Sequence, residues 1–242
     1  MLRRLSCCLL LLFLGGPLLA QSCATPAAAD SRVAFWRGQL GFARVRAARA
    51  TTGPVMAARL RARALDRLEV LFHLLKTYRE LEVWARNRGG GPFELLRAYP
   101  LAATLGPLGP KRRASDGQVP EDFYEINRFN PNSNFHPSLG LNYPTAAERA
   151  LGGPDPGSDI FIHGGKVTIG CLPITDAGIE EVYLLAVLAR AAGQAAITVH
   201  IFPFSLTDAE LTRRAGSLHL AYWRGLRPGY TYFEYHHAVA GQ

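Results

Sequence analysis

The sequence has 242 residues, 48% of them hydrophobic, and a formal net charge of +8. That is chain enough for one good core with a small helical appendage, and the cysteines at 7, 8, 23 and 171 are too few and too scattered for a disulfide framework. No Cys/His cluster has zinc spacing and no glycine-rich loop has phosphate-binding spacing, so no metal and no cofactor are expected; aromatic-interleaved and zinc-finger motifs are also absent, which argues against nucleic acid as a partner.

Residues 1–20 open with Arg3 and Arg4, continue as an apolar run and end on Ala20. This has the form of a secretory signal peptide, too short to span a membrane comfortably, and predicts an exported protein of the periplasm or cell envelope. Cys23, after Leu19-Ala20-Gln21-Ser22, offers a lipid anchor as an alternative, which would change only where the protein is tethered. A free thiol is a liability in an oxidising compartment, so the single cysteine beyond residue 23 is expected to be kept for chemistry. The charge is uneven. Residues 31–113 hold 17 Lys/Arg against 5 Asp/Glu, and residues 114–242 hold 8 against 13. A basic front half suits an anionic membrane face or wall polymer.

Residues 24–30 read as a linker and 31–68 as mostly helical, with a break at Gly53-Pro54, where proline suits a first helical turn. Met56, Leu60, Ala64 and Leu68 then recur on one face. Arg59, Arg63 and Arg67 recur beside them, as a solvated basic face or a contact for an anionic polymer. From Leu68 the period shortens. Leu68–Lys76, Glu80–Ala85 and Phe93–Ala98 read as strands joined by tight turns, although leucine and glutamate also permit a helix over 68–86. Thr104–Arg113 is a Pro/Gly loop, and 116–144 alternates strand-like runs with asparagine-rich turns, in which His136 is expected to stabilise a turn at the surface. Farther on, Thr175-Asp176 caps a helix whose stripe of Ile179, Val182, Tyr183, Ala186 and Val187 ends near Gly193. Ala195–Phe204 reads as a buried strand, Leu206–Trp223 as another helix, and the aromatics from Gly229 to Tyr235 as core that closes the chain.

Between these elements lies Ile160-Phe-Ile-His163-Gly164-Gly165-Lys-Val-Thr168-Ile-Gly170-Cys171, which the rest of the chain is organised around. A thiol needs a base to become a nucleophile near neutral pH, and a catalytic thiol is expected to carry a low pKa. His163 could supply the base, and Gly170 a backbone that lets a carbonyl approach. The spacing predicts a hairpin-like connection that folds His163 back towards Cys171. The alternative is a buried cysteine acting as a small hydrophobe beside a hydrogen-bonded histidine.

The His-Gly strand end followed by Thr168-x-Gly170-Cys171 resembles the signature of the L,D-transpeptidase catalytic domain (YkuD-like) family. Further blocks in the same order resemble its YafK/DpaA-like murein branch. They are Leu81–Trp84, Gly106–Lys111, Asp116–Pro120 with Phe123-Tyr124, Phe129–Ser133, Thr175–Tyr183 and His200–Phe204. The resemblance runs from about Leu68 to Glu234. It implies a mainly β fold with helices (α+β), with a linker and basic helical segment at 21–67 and a catalytic domain at 68–242. Carried over, Cys171 matches the nucleophile and His163 the general base. Gly164 matches the residue whose carbonyl orients the imidazole, Thr168 the Ser/Thr of the motif, and Gly170 the glycine whose amide, with that of Cys171, would face the oxyanion. Two departures touch the substrate subsite: Ile169 stands where many members have a second histidine, and Leu172-Pro173 where a polar or basic residue is usual. A third, the short His-to-Cys connection, is shared with the murein branch.

The implied function is a cysteine acyl enzyme acting on peptidoglycan stem peptides, of the L,D-transpeptidase type. Two alternatives stand beside it. One is a hydrolase (amidase) of the same family that cuts the diaminoacid link between peptidoglycan and an attached lipoprotein. The other is a non-catalytic wall-binding module that uses the arginine-rich front half.

Overall fold

The computed structural model describes residues 26–103 and 106–240, so the leader and Cys23 lie outside the described residues. The fold is α+β, as expected, with eight strands in one mixed sheet of order β3-β2-β1-β8-β4-β5-β6-β7. These are β1 (Leu68–Leu75), β2 (Glu80–Asn87), β3 (Glu94–Pro100), β4 (Asp122–Asn130), β5 (Ser138–Leu141), β6 (Phe161–His163), β7 (Leu172–Pro173) and β8 (Thr198–Phe202). The β1/β8 and β6/β7 pairs are parallel and the others antiparallel. Strand β1 is buried along its whole length, as a central strand covered on both faces must be. Its Val70, Phe72 and Leu74 join the main core, while Leu71 packs with Phe93 and Phe233 on the other face.

The first face is covered by α1 (Pro26–Leu40), α2 (Ala43–Ala62) and α4 (Asp176–Ala191), and α3 (Ala146–Leu151) follows the turn after β5. Helix α2 puts Val45, Ala48, Met56 and Leu60 into the same core as the sheet. The expected break at Gly53-Pro54 is absent, because Pro54 lies inside α2 with its ring exposed. Proline forfeits one backbone hydrogen bond there, and the buried Val45, Ala48, Met56 and Leu60 on either side keep the helix packed on the core. The break falls instead at Gly41. Ala64 and Leu68 lie beyond the helix, and Arg59 is not a solvated residue: it bonds to Glu181, which Arg97 also holds at 2.9 Å.

The opposite face is covered by α6 (Leu220–His236), with α5 (Asp208–Arg213) before it. The helix expected over Leu206–Trp223 is therefore two, parted around Gly216, and the closing aromatics are helical. Trp223, Leu226, Tyr230 and Phe233 form a buried stripe at helical spacing, with Pro228 exposed and Gly229 packed against the ring of Phe123, where a Cβ would clash. Beneath it His73 and His200, 1% and 2% exposed, pack among Phe202, Phe233 and Phe123. Burial pushes their pKa values down to about 3 and about 4, so both imidazoles are neutral.

One buried ion pair ties the long loop between β3 and β4 to this frame. Lys76, at the end of β1, donates to Glu121 Oε1 at 2.9 Å and to the carbonyls of Pro107 and Val119 at 2.9 and 3.1 Å. Glu121 also accepts from Gly109 N at 2.7 Å and from Trp223 Nε1 of α6 at 2.9 Å. Removing one partner of such a pair leaves a buried charge uncompensated. Lys76→Met is therefore expected to cost about 3–5 kcal/mol, read as a fall in the urea midpoint at unchanged slope; a midpoint like that of the parent would show that the pair does not carry the loop.

Candidate active site

The β6/β7 register decides which side chains can meet. Ile162 pairs with Leu172 and His163 with Pro173, so Cys171 lies opposite Phe161. Side chains alternate along a strand, which places Phe161, His163 and Cys171 on one face and the fully buried Ile162 and Leu172 on the other. His163 and Cys171 line one cavity of about 520 Å³ together with Thr168, Ile169, Phe135, Phe161, Ser138 and the asparagines at 130, 132 and 134.

The connection is not a hairpin. Its two strands run parallel, and residues 164–171 make the crossover far more tightly than the dozen residues usual for parallel strands. Glycine makes this turn possible. Gly165 has φ +78° and Gly170 φ +135°, and a Cβ on Gly170 would lie 2.9 Å from Gln118 O. The loop is pinned at its start by Gly164 N to Phe135 O at 2.9 Å and by Gly165 N to Asp176 Oδ1 at 2.7 Å. At its end, Thr168 Oγ1 accepts from the amides of Gly170 and Cys171 at 3.1 and 2.7 Å and donates to Cys171 O at 2.9 Å. Both amides that the sequence assigns to the oxyanion are thus held by the Thr168 hydroxyl.

His163 Nδ1 lies 2.6 Å from the Gly164 carbonyl oxygen. The carbonyl only accepts, so Nδ1 carries the proton and Nε2 is left as the basic nitrogen. Burial lowers the His163 pKa, against the raising effect of that hydrogen bond. Burial also pushes the Cys171 thiol up. The Phe161 amide, 3.4 Å from Sγ, and the Lys111 ammonium pull it back, while Asp159 pushes it up again. The resting pair is therefore a neutral thiol and a neutral imidazole, not the low-pKa thiolate the sequence suggests. Such a pair can transfer a proton as attack proceeds, but does not store a charge beforehand.

His136 stands at the edge of this loop, with Nε2 3.2 Å from Asp176 Oδ2 and φ +64°. It braces the cap of α4 at the turn. Sequence reasoning gave no role to Phe135, whose ring lies 5.3 Å from that of His163, nor to Lys111. Lys111 is 3% exposed and donates to Asp116 Oδ1 and, at 3.0 Å, to Arg113 O. Its Nζ is 3.4 Å from where a Gly170 Cβ would be, directly behind the cysteine loop. Although burial raises Asp116, the Lys111 bond and three backbone N–H groups hold its pKa below the ordinary carboxylate value. The only sequence signal was that Lys111 and Asp116 fall in adjoining blocks of the family resemblance.

Among known proteins, YafK of Escherichia coli (strain K12), named as a candidate L,D-transpeptidase, is 35% identical over 167 residues, as is its counterpart from Escherichia coli O157:H7. The match covers 68% of this chain and 66% of each relative, so the chain spans just under two thirds of the length of these curated relatives. No family model matches the chain. The helical cell shape determining protein Pgp2 from Campylobacter jejuni is similar at 21% identity and TM-score 0.44, over 56% of this chain and 48% of that one. Bd1075 from Bdellovibrio bacteriovorus is similar at 21% identity and TM-score 0.41, over 66% and 59%.

The buried ammonium behind Gly170 has a measurable consequence. Lys111→Met is expected to move the pH profile of Cys171 alkylation to higher pH, with Lys111→Arg restoring part of the shift, because a nearby positive charge favours the thiolate. An unmoved profile in a folded Lys111→Met variant would show that the charge does not reach the sulfur.

Proposed function

We propose that this chain, which belongs to the L,D-transpeptidase (YkuD-like) family, is an exported cysteine acyl enzyme that acts on peptidoglycan stem peptides through a Cys171 thioester. The observation that carries it is the shared face of Phe161, His163 and Cys171, which brings the thiol and an imidazole of fixed tautomer to one cavity. In this reading His163 Nε2 takes the thiol proton as sulfur attacks the carbonyl carbon of a diaminoacid in the stem. The tetrahedral adduct collapses when the imidazolium gives that proton to the departing amine, and a thioester on Cys171 remains. An acceptor amine, deprotonated by the same imidazole, then attacks the thioester and expels the thiolate, forming a new amide. The Gly170 and Cys171 amides serve the oxyanion once Thr168 Oγ1 yields them, and such donors are worth about 3–4 kcal/mol in other acyl-transfer sites.

Hydrolysis is the second reading, with water in place of the amine and a wall-attached lipoprotein as the released group. The exposed Val167 and Ile169 favour it, since this part of the lining, unlike the asparagines at 130, 132 and 134, offers no polar group to hold an acceptor amine. The leader and the YafK likeness support export to the cell envelope, with a lipid anchor at Cys23 as a variant of it.

Cys171→Ala is expected to abolish turnover with the fold intact, judged by mass spectrometry of muropeptides incubated with the protein. Full activity in that variant overturns the mechanism. Cross-linked or amine-exchanged products mark the transferase, and loss of an attached peptide with uptake of water marks the hydrolase. Because burial lowers the His163 pKa, the base stays unprotonated into mildly acid solution. The acid limb of kcat/KM is thus expected below pH 6.5, the value for an unperturbed imidazole. A limb at or above that value would mean that another group serves as the base.

A further inference from the structure

Two helices run from the catalytic cavity to the far end of the molecule. Helix α4 starts at Asp176, which accepts from Gly165 in the His–Cys loop, and its 16 residues span about 24 Å. Helix α2 starts beside Arg44, which donates to the carbonyl of Ser133 in the cavity wall, and its 20 residues span about 30 Å. Helix α1 runs the other way. Gln39, near its end, bonds to Tyr183 of α4 at 2.6 Å, whereas Arg32, near its start, lies at Gly193, beyond the last turn of α4. Residues 1–25 therefore join the described fold, at Pro26, on the end away from the nucleophile.

That end is strongly basic. A Cβ on Gly193 would lie 2.5 Å from Arg32 Nη1 and 2.6 Å from Arg88 Nη1, so two guanidiniums converge on one point. The Arg88 amide bonds to the Arg67 carbonyl at 2.7 Å, and Arg190 donates to Gln194 O at 2.8 Å on the same turn. Arg61 and Arg63 are exposed at the end of α2. Among the residues whose side chains are described, none of these six forms an ion pair with a carboxylate. The carbonyl ends of α2 and α4 attract some of this charge. They do not neutralise six guanidiniums, two of them held side by side.

We propose that this basic end docks on an anionic phospholipid bilayer and holds the catalytic cavity some 25–30 Å out from it, facing away. The occupant is a lipid surface because the charge is gathered at the end where the described fold begins, at Pro26, three residues after the candidate anchor Cys23, and because the wall substrate of the proposed function would be met at the other end. Binding to lipid does not depend on the proposed reaction, so failure of one leaves the other testable.

The test is co-sedimentation of the full chain with vesicles of pure phosphatidylglycerol and of pure phosphatidylcholine. Residues 1–25 are present throughout, so binding to phosphatidylcholine measures their contribution and the excess on phosphatidylglycerol measures the arginines. Replacing Arg61 and Arg63 by glutamate is expected to reduce the excess by about fivefold or more for each arginine, with parent-like circular dichroism. Adding Arg67→Glu is expected to reduce it further, and raised salt to abolish it. Reversal of Arg213 and Arg224, on α5 and α6, is expected to leave it unchanged. Equal binding to the two lipids, an undiminished excess in the folded variants, or binding to isolated wall polymer with none to phosphatidylglycerol would each overturn the proposal.

Discussion

The position of Cys171 depends on a charge pair that never touches it. The loop between β3 and β4 is rich in proline and glycine, and its apolar anchors are Leu101 and Val119 in the main core with Leu108 on the α6 cluster. Lys76 and Glu121 hold it from within, with Glu121 reaching β1 through Lys76, α6 through Trp223 and the loop itself through Gly109. Buried charges of this kind are seldom a net gain over an apolar core, but they fix a geometry that apolar contacts would leave slack. What they fix here is the segment bearing Gln118 and Lys111, against which Gly170 is packed. The cysteine loop thus has a wall behind it as well as strands on either side.

That arrangement explains why Cys171 and His163 are both neutral at rest. A crossover this tight, pressed between the 106–121 loop and β6, withdraws both the thiol and the imidazole in part from water, and partial loss of water disfavours both charged forms. The groups that relieve the penalty are few and fixed: one amide and one ammonium for sulfur, one carbonyl for the ring. In the proposed reaction such a pair would exchange its proton during attack, relying on geometry more than on a preformed thiolate.

Much of this was legible in the sequence where the signal was local. The strands from Leu68 to Pro100, the Thr175 cap and stripe of α4, and the contiguous His163–Cys171 block all announce themselves within a few residues. What escaped was non-local or disguised. The parallel pairing of β6 and β7 is a matter of topology, which spacing alone renders as a hairpin. Gly225, Pro228 and Gly229 hid the stripe of α6, although Trp223, Leu226, Tyr230 and Phe233 keep helical spacing throughout. Pro54 looked like a helix start because nothing in sequence says that its ring would face solvent. Lys111 lies far along the chain from Cys171, and its nearness to Gly170 exists only after folding.

The two histidines under α6 carry a different kind of consequence. An imidazole in an unfolded chain takes up its proton near pH 6.5, whereas His73 and His200 in the folded protein resist until about 3 and about 4. Below pH 6.5 the disordered chain therefore binds protons that the native layer refuses, and each further drop in pH tilts the balance towards disorder. Tolerance of an acid medium is thus set partly behind the sheet, by an aromatic layer remote from Cys171, and a lineage adapting to a sourer habitat would have cause to replace those rings before altering the surroundings of Cys171.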